Sequence, residues 1–257
     1  MIGVFDSGVG GLSVLREIRS LLPAADLTYL ADQARAPYGE RSLLEVRGYA
    51  GEAAGHLIGL GSAPVVVACN TASAAALRHL RLRWEAVLFV GMEPAVKPAA
   101  GLTATGKIGV LATQATFQGE LFGDLVARYG NGVEVLTRAC PGLAAIIEEV
   151  PPDDPGAADH LAGHALPLVD AGADVIVLGC THYAFLEDAL ALRLGPGVTV
   201  VNPARAVAQR VAAVAADSGT DEGGGTTTYL TTGDPARFVA QLQRLLGATA
   251  PASLVRF

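Results

Sequence analysis

Two cysteines occupy equivalent places in the chain, each at the end of a short apolar run. Cys69 follows Val-Val-Val-Ala, and Cys180 follows Val-Ile-Val-Leu-Gly. Polar side chains and a predicted helix come after each cysteine. A reaction that removes a proton from one face of a carbon and returns one to the other face needs a base and an acid on opposite sides. The repeated thiol predicts such a pair.

Burial is the alternative for both thiols, because free cysteine behaves as a small hydrophobic residue. Their predicted position favours chemistry instead. Open α/β sheets bind ligands at the carboxyl ends of their strands, where Cys69 and Cys180 are expected. The N–H groups of a following helix can also stabilise a thiolate or hold a carboxylate.

His182 and Asp6 are the titratable residues expected to assist. His182 lies two residues after Cys180 and can accept or return the proton of that thiol; alone, it could equally be a packed or solvated histidine. Asp6 ends the first predicted strand. Its alternative role is to cap the helix that follows.

The glycine-rich segment at residues 6–11 invites comparison with a dinucleotide-binding loop, and Asp32 ends the next predicted strand. However, Ser13 stands where that fingerprint has its third glycine. Asp6 would also place negative charge beside a pyrophosphate. We therefore expect no nucleotide cofactor.

A metal site is also not expected. Cys180 and His182 are two residues apart, and only Cys69, Cys140 and scattered acids could complete a ligand set. Structural zinc sites usually contain closely spaced pairs such as CxxC. Cys140 has no symmetric twin and no polar helix start beside it, so we predict a buried structural thiol.

Composition limits the possible partners and surroundings. The 257 residues are 51% hydrophobic and 17% charged, with a net charge of −7, which predicts a well-packed globule. The negative charge disfavours nucleic acid and anionic membranes as partners. The first residues lack a basic segment and no apolar run reaches membrane-spanning length, so we expect a cytoplasmic protein with reduced cysteines.

Short apolar runs alternate with longer helical patterns, as in the predicted strand at residues 2–5, the helix at 11–22 and the strand at 27–30. This alternation predicts an α/β fold with mainly parallel sheets covered by helices. Residues 2–7 are echoed by residues 108–113, another apolar strand that ends in a side-chain oxygen. We therefore expect two similar αβ lobes with the active site in the cleft between them.

The predicted boundaries place residues 1–97 and 205–257 in the first lobe and residues 98–204 in the second. The last part of the chain reads as a helix at 204–216, a Gly/Thr-rich loop at 218–227, a strand at 229–231 and a helix at 235–246. These elements most simply return to the first lobe, and we interpret the loop as an exposed, mobile connector.

Four motifs in order resemble those of glutamate racemases, members of the cofactor-independent aspartate/glutamate racemase superfamily. They are Asp6-Ser7-Gly8, Pro37-Tyr38-Gly39, Cys69-Asn70-Thr71 and Gly179-Cys180-Thr181-His182. The resemblance spans almost the whole chain. The Cys140-Pro141 segment leading to Glu148 and the terminal Thr232-Gly233-Asp234 support it.

The resemblance implies interconversion of L- and D-glutamate without a cofactor, in a homodimer that supplies D-glutamate for bacterial peptidoglycan. Cys69 would act on D-glutamate with Asp6 as its helper, and Cys180 would act on L-glutamate with His182 as its helper. The residues implied to bind the substrate are Asp6, Ser7, Tyr38, Gly39, Asn70, Thr71, Thr113, Thr116, Glu148, Thr181 and His182.

Two positions depart from the family pattern: Gln118 stands where many members have serine, and Ala145 stands where proline is common. Two alternatives also remain open. The chain could racemise aspartate or another acidic amino acid, or it could be a two-lobed protein that binds a small molecule without chemistry.

Overall fold

A computed structural model describes residues 1–130 and 132–257. It confirms the predicted fold class: the strands form two parallel sheets, and helices flank both. In the first sheet the strand order is β10-β9-β2-β1-β3-β4, and in the second it is β6-β5-β7-β8. The strands of the first sheet are β1 (Ile2–Asp6), β2 (Leu27–Ala31), β3 (Val65–Val67), β4 (Phe89–Gly91), β9 (Thr227–Thr231) and β10 (Ala252–Leu254). Those of the second are β5 (Lys107–Ala112), β6 (Glu134–Ala139), β7 (Val175–Gly179) and β8 (Thr199–Val201).

The helices connect the parallel strands as crossovers. They are α1 (Leu12–Leu21), α2 (Leu43–Gly59), α3 (Asn70–Arg83), α4 (Val96–Leu102), α5 (Gln114–Gln118), α6 (Glu120–Tyr129), α7 (Leu143–Glu149), α8 (Pro155–Asp170), α9 (Glu187–Leu194), α10 (Ala204–Ser218) and α11 (Pro235–Leu246). Short 3₁₀ turns occupy Gln33–Arg35, Tyr38–Glu40 and Thr181–Leu186.

The central strand β1 is buried along its whole length because helices cover both faces of the sheet. Alternate side chains point to opposite faces, so Ile2 and Val4 pack in the cluster that contains Leu12, whereas Phe5 packs in the cluster that contains Val46. The cluster around Ile2 continues into residues of the second sheet, such as Ile176. One apolar core therefore joins the two sheets.

The sheets group the strands much as the sequence suggested. After β8 in the second sheet, α10 packs on α1, and β9 and β10 complete the first sheet beyond β2. The strand β10 was not anticipated. The exact lobe boundaries at residues 97/98 and 204/205 stay a prediction.

The loop before β9 is exposed at its tip, as expected, but its end is anchored. The Asp26 carboxylate accepts the backbone N–H groups of Gly224 and Thr226 and the Thr226 hydroxyl. These hydrogen bonds, the Thr226 hydroxyl first, lower the pKa of Asp26 to about 2. These hydrogen bonds therefore fix the end of the loop against the start of β2.

Helix α2 begins with a capping box. The Ser42 hydroxyl accepts the Glu45 N–H at 3.2 Å, and the Glu45 carboxylate accepts the Ser42 N–H at 3.0 Å. An N-cap of this kind contributes about 1 kcal/mol. It fixes the end of the loop that carries Tyr38 and Gly39.

Among the helices of the described residues, none combines the length and apolarity needed to cross a membrane.

Candidate active site

The carboxyl ends of strands from both sheets face one cavity of about 520 Å³. Because all paired strands run parallel, the residues after β1, β3, β5 and β7 gather at these ends. The cavity brings together most of the residues singled out from the sequence. Its walls include Ser7, Tyr38, Gly39, Cys69, Asn70, Thr71, Thr113, Glu148, Cys180, Thr181 and His182. Asp6 and Thr116 lie behind the wall, fully buried.

Cys69 is the N-cap residue of α3. Its sulfur accepts the backbone N–H of Ala72 at 3.4 Å and lies 3.6 Å from the Ser7 hydroxyl. Burial, reinforced by the negative charge of Asp6, raises the pKa of the Cys69 thiol to about 12 despite these two hydrogen bonds. The isolated site therefore keeps this thiol protonated at neutral pH.

Cys180 has different surroundings. The segment after it is a 3₁₀ turn, not the α-helix start expected from the sequence, and its sulfur makes no side-chain cap hydrogen bond. Instead the sulfur lies 3.7 Å from Nδ1 of His182. The residues of this turn are all buried, and Tyr183 is anchored by its hydroxyl, which donates to the Cys140 carbonyl at 3.3 Å.

His182 and Glu148 form a relay that ends at Cys180. Nε2 of His182 lies 2.9 Å from Oε1 of Glu148. Burial alone would lower the pKa of His182, but its contacts with the Cys180 sulfur and the Glu148 carboxylate raise that pKa well above its usual value. Burial would raise the pKa of Glu148, but the hydrogen bond from His182 lowers it below the ordinary range. The pair therefore holds an imidazolium against a carboxylate.

Asp6 acts on Cys69 through its charge, which raises the pKa of that thiol. Its carboxylate accepts the Gly8 N–H at 2.8 Å and lies 3.5 Å from the Thr181 hydroxyl. It makes no side-chain cap for α1, whose N-cap is Gly11. Burial raises the pKa of Asp6, and the charge of His182 opposes that increase. Asp6 thus acts on both halves of the site from behind the cavity wall.

Three threonine hydroxyls join the two sheets beside Cys69. The Thr71 hydroxyl lies 2.9 Å from that of Thr113 and 3.3 Å from that of Thr116, and the latter two are 2.9 Å apart. Thr113 also caps α5 by accepting the Thr116 N–H at 3.2 Å. Because each hydroxyl can rotate, the cluster can offer both donors and acceptors to a polar ligand.

Asn70 presents a polar side chain at the cavity wall that is unpaired in the described part of the chain. Its side chain is buried in the cavity wall, and neither its amide nitrogen nor its amide oxygen has a hydrogen-bond partner among the described residues. Buried polar groups are nearly always paired, and leaving one unpaired costs about 1–3 kcal/mol. A ligand that both donates and accepts hydrogen bonds would satisfy this amide.

Tyr38 is held by the carboxylate of Asp32, a role that was not predicted from the sequence. Its hydroxyl donates to Asp32, which also pairs with Arg35 at 2.8 Å and accepts the Thr232 hydroxyl at 2.8 Å. Burial, then the charge of Asp32, raises the pKa of Tyr38 well above its usual value. Tyr38 therefore stays a neutral phenol.

The glycine-rich loop makes room for side chains of the second lobe. A Cβ at Gly8 would collide with the Glu148 carboxylate, and one at Gly10 would collide with the His182 ring. At the position of the missing third glycine, the Ser13 hydroxyl lies 2.8 Å from the Gly10 carbonyl and 3.2 Å from the Thr181 carbonyl. Close packing against Glu148 and His182 thus explains Gly8 and Gly10.

Sequence reasoning missed several polar residues of the cavity wall, including Arg41, Gln114 and Arg237. Two of them had a signal in the sequence: Gln114 directly follows the predicted site residue Thr113, and Arg41 continues the Pro37-Tyr38-Gly39 motif. Both departures from the family pattern, Gln118 and Ala145, line the same cavity.

Cys140 is buried, as predicted, although it too reaches the cavity wall. Burial raises the pKa of its thiol to about 12.

Within residues 1–130 and 132–257, no group of three or more His, Cys, Asp or Glu side chains is arranged to hold a metal ion. Of the two lysines of the chain, Lys97 lies over the Tyr129 ring and Lys107 forms an ion pair with Glu134 at 3.1 Å.

Comparison with known proteins connects this geometry to a family. The family model described as Asp/Glu/hydantoin racemase matches residues 2–211. The chain is 52% identical over 248 residues to a glutamate racemase of Roseiflexus sp. strain RS-1, covering 95% of this chain and 91% of the relative.

Solved structures agree. A glutamate racemase isoform of Bacillus anthracis superposes with a TM-score of 0.90 at 33% identity, covering 100% of this chain and 97% of the other. The glutamate racemase of Thermus thermophilus, solved with β-chloro-D-alanine, gives a TM-score of 0.82 at 39% identity, covering 100% and 96%.

Proposed function

Because the chain belongs to the Asp/Glu/hydantoin racemase family, we propose that it interconverts L- and D-glutamate by proton transfer between the substrate and two thiols. The reaction uses no cofactor and supplies D-glutamate for peptidoglycan. The observation that carries the proposal is that Cys69 and Cys180, from different sheets, line one cavity.

The difficulty of the reaction lies in the α-carbon. Removing its proton leaves a carbanion that the neighbouring carboxylate and ammonium groups delocalise poorly, and no electron sink is present in the proposed reaction. The protein must therefore stabilise charge with fixed dipoles and hydrogen bonds in a site from which water is excluded. The α3 N-terminus, the threonine hydroxyls and the unpaired Asn70 amide are positioned to bind the substrate carboxylates and ammonium.

The proposed resting state has one charged half-site and one neutral half-site. His182 is an imidazolium beside the Cys180 sulfur, and the ionised Glu148 stabilises that positive charge. Cys69 keeps its proton, since its pKa is about 12. Cys180 takes the α-proton of L-glutamate, and Cys69 then donates its proton to the opposite face of the carbanion. The D-to-L direction runs the same steps backwards.

Circular dichroism of L-glutamate incubated with the purified protein, without any added cofactor, tests the proposal. The expected result is decay of the signal to zero as the racemic mixture forms. A stable signal, with no exchange of the α-hydrogen for deuterium from ²H₂O in NMR spectra, would indicate a binding protein without chemistry. Parallel incubation of L-aspartate tests the other alternative, and we expect much slower turnover.

We also propose that the protein is a homodimer, as the family resemblance implies, and that it is located in the cytoplasm. The net charge of −7 supports the absence of a nucleic-acid partner. Size-exclusion chromatography with light scattering tests the dimer: a mass near twice 26.2 kDa is expected. Fractionation of producing cells tests the location.

A further inference from the structure

A series of hydrogen bonds runs from the end of β9 through Gln33 and Gln241 to Glu148, which contacts His182 beside Cys180. Gln241 belongs to α11 and is fully buried. It lies against Glu148, at the end of α7, which follows a strand of the second sheet. Buried amides are nearly always hydrogen-bonded, so the partners of Gln241 indicate how it joins these two elements.

The series has a fixed direction because it starts at a backbone donor. The Gly233 N–H donates to the Thr231 hydroxyl oxygen at 3.0 Å. The Thr231 hydroxyl therefore uses its own hydrogen elsewhere, and the Gln33 amide oxygen accepts it at 2.8 Å. In this arrangement the Gln33 amide oxygen faces Thr231 and its amide nitrogen faces α11.

The second amide is fixed in the same way. Nε2 of Gln33 donates to Oε1 of Gln241 at 2.7 Å. Nε2 of Gln241 must then face Glu148, where it lies 3.4 Å from the carbonyl oxygen and 3.5 Å from Oε2. Every link thus points N–H or O–H groups toward the Glu148 carboxylate.

Glu148 connects Gln241 to the candidate active site through its two carboxylate oxygens. Its other oxygen, Oε1, pairs with His182, whose second ring nitrogen contacts Cys180. Arg237 of α11 lies 4.0 Å from Oε2, and Arg244 donates to the Glu148 carbonyl at 3.0 Å. Glu149 on its own helix pairs with Arg237 at 2.6 Å, and the carboxylate of Asp6 also acts on the relay.

We propose that Gln241 is a positioning residue for proton transfer at Cys180: its amide orients the ionised Glu148 carboxylate so that Oε1 is aligned with His182. This inference rests on the proposed racemase function. It assigns to the terminal helix, which contributes neither thiol, a role in only one of the two proton transfers.

The test must separate the two transfers. The enantiomers have equal free energy in water, so kcat/KM is the same in both directions for every variant, and a one-sided defect cannot appear there. It appears in the α-deuterium isotope effects instead. When the Cys180 step slows, cleavage of the C–²H bond of L-glutamate becomes more rate-limiting and that isotope effect rises. The effect on D-glutamate falls, because its deuterium is removed by Cys69.

Gln241→Met keeps the side-chain size but removes the donor. We expect kcat/KM to fall about fivefold, as for the loss of one hydrogen bond, with the isotope effect rising for L-glutamate and falling for D-glutamate. The matched control is Gln243→Met, on the exposed side of the same helix, which should behave as wild type. Equal changes in both isotope effects, or a variant indistinguishable from the control, would overturn the inference.

Gln241→Glu covers the case in which the methionine variant fails to fold. The new carboxylate keeps the bond from Gln33 but faces Glu148 with like charge, which raises the pKa of Glu148. The acid limb of the kcat/KM profile should therefore move to higher pH, and an unmoved limb would contradict the inference. Wild-type protein that does not racemise glutamate would instead contradict the proposed function itself.

Discussion

The Cys69 and Cys180 half-sites begin alike and end differently. Both thiols follow a buried parallel strand and line the same cavity. Cys69 is held by a backbone N–H at the start of an α-helix and by the Ser7 hydroxyl. Cys180 precedes a 3₁₀ turn and contacts a histidine that is itself paired with Glu148.

This difference shows that one position on a βα unit can place a thiol in two different electrostatic environments. Around Cys69, hydrogen bonds and burial hold a neutral thiol, whose pKa is about 12. Around Cys180, the sulfur contacts His182, whose pKa is raised by that sulfur and by the Glu148 carboxylate. The proposed substrates are mirror images, but the protein that holds them is not, so its two proton-transfer groups need not match.

Replacing either thiol should have the largest effect. Cys69→Ala and Cys180→Ala should each lower kcat by at least about 1,000-fold, because inversion needs both an acid and a base. The serine variants should be almost as impaired, since a hydroxyl is a much weaker acid. Circular dichroism assays measure turnover, and thermal unfolding verifies folding. Cys140→Ala is the control and should retain most of the activity; near-wild-type turnover in Cys69→Ala or Cys180→Ala would refute the two-thiol scheme.

His182→Asn should have the next largest effect and should be confined to one half-site. We expect kcat/KM to fall about 100-fold, as for the loss of a general acid-base group. The α-deuterium isotope effect should rise for L-glutamate and fall for D-glutamate, because only the Cys180 step loses its proton acceptor. Isotope effects that change equally for the two enantiomers would show that His182 serves both thiols.

Glu148→Gln should change the pH dependence as well as the rate. We expect a loss of about 30-fold, comparable to that for removing an orienting carboxylate from a catalytic histidine. The carboxylate raises the pKa of His182, so its removal lowers that pKa and the imidazolium is lost at lower pH. Asp6 remains as the other nearby carboxylate. The alkaline limb of kcat/KM should therefore move to lower pH, and NMR titration of His182 should show the same shift.

Ser7→Ala should have the smallest effect and the opposite asymmetry. Among the described residues, the Ser7 hydroxyl makes one side-chain hydrogen bond, to the Cys69 sulfur at 3.6 Å, so its loss should cost about two- to tenfold in kcat/KM. The isotope effect should now rise for D-glutamate and fall for L-glutamate. If it moves in the same direction as in His182→Asn, the assignment of Ser7 to the Cys69 half-site is incorrect.

Much of the fold could be predicted because its signals are local. Buried parallel strands require continuous apolar runs, and these marked β1, β3, β5 and β7. The terminal helices were placed within two residues of their observed ends. The short strand β10 was missed, since its three residues are partly exposed and carry no apolar run.

The contacts within the site were less predictable, because they join residues that are distant in the chain. Nothing near Glu148 indicates that it will pair with His182, and nothing near Asp32 indicates that it will hold Tyr38. The turn after Cys180 was expected to be α-helical from its position, but the buried packing of Tyr183 and its neighbours produces a 3₁₀ turn there.

The sequence by itself determined which atoms can do the chemistry: two thiols at equivalent strand ends, with a histidine near one of them. Strand ends and their flanking residues follow from local hydrophobic patterns, so these assignments need no knowledge of distant contacts. Only the tertiary structure decided the surroundings of each thiol. They depend on burial and on charges brought together from separate sheets: Cys69 is a buried thiol at the N-cap of α3, and Cys180 lies beside the His182–Glu148 pair.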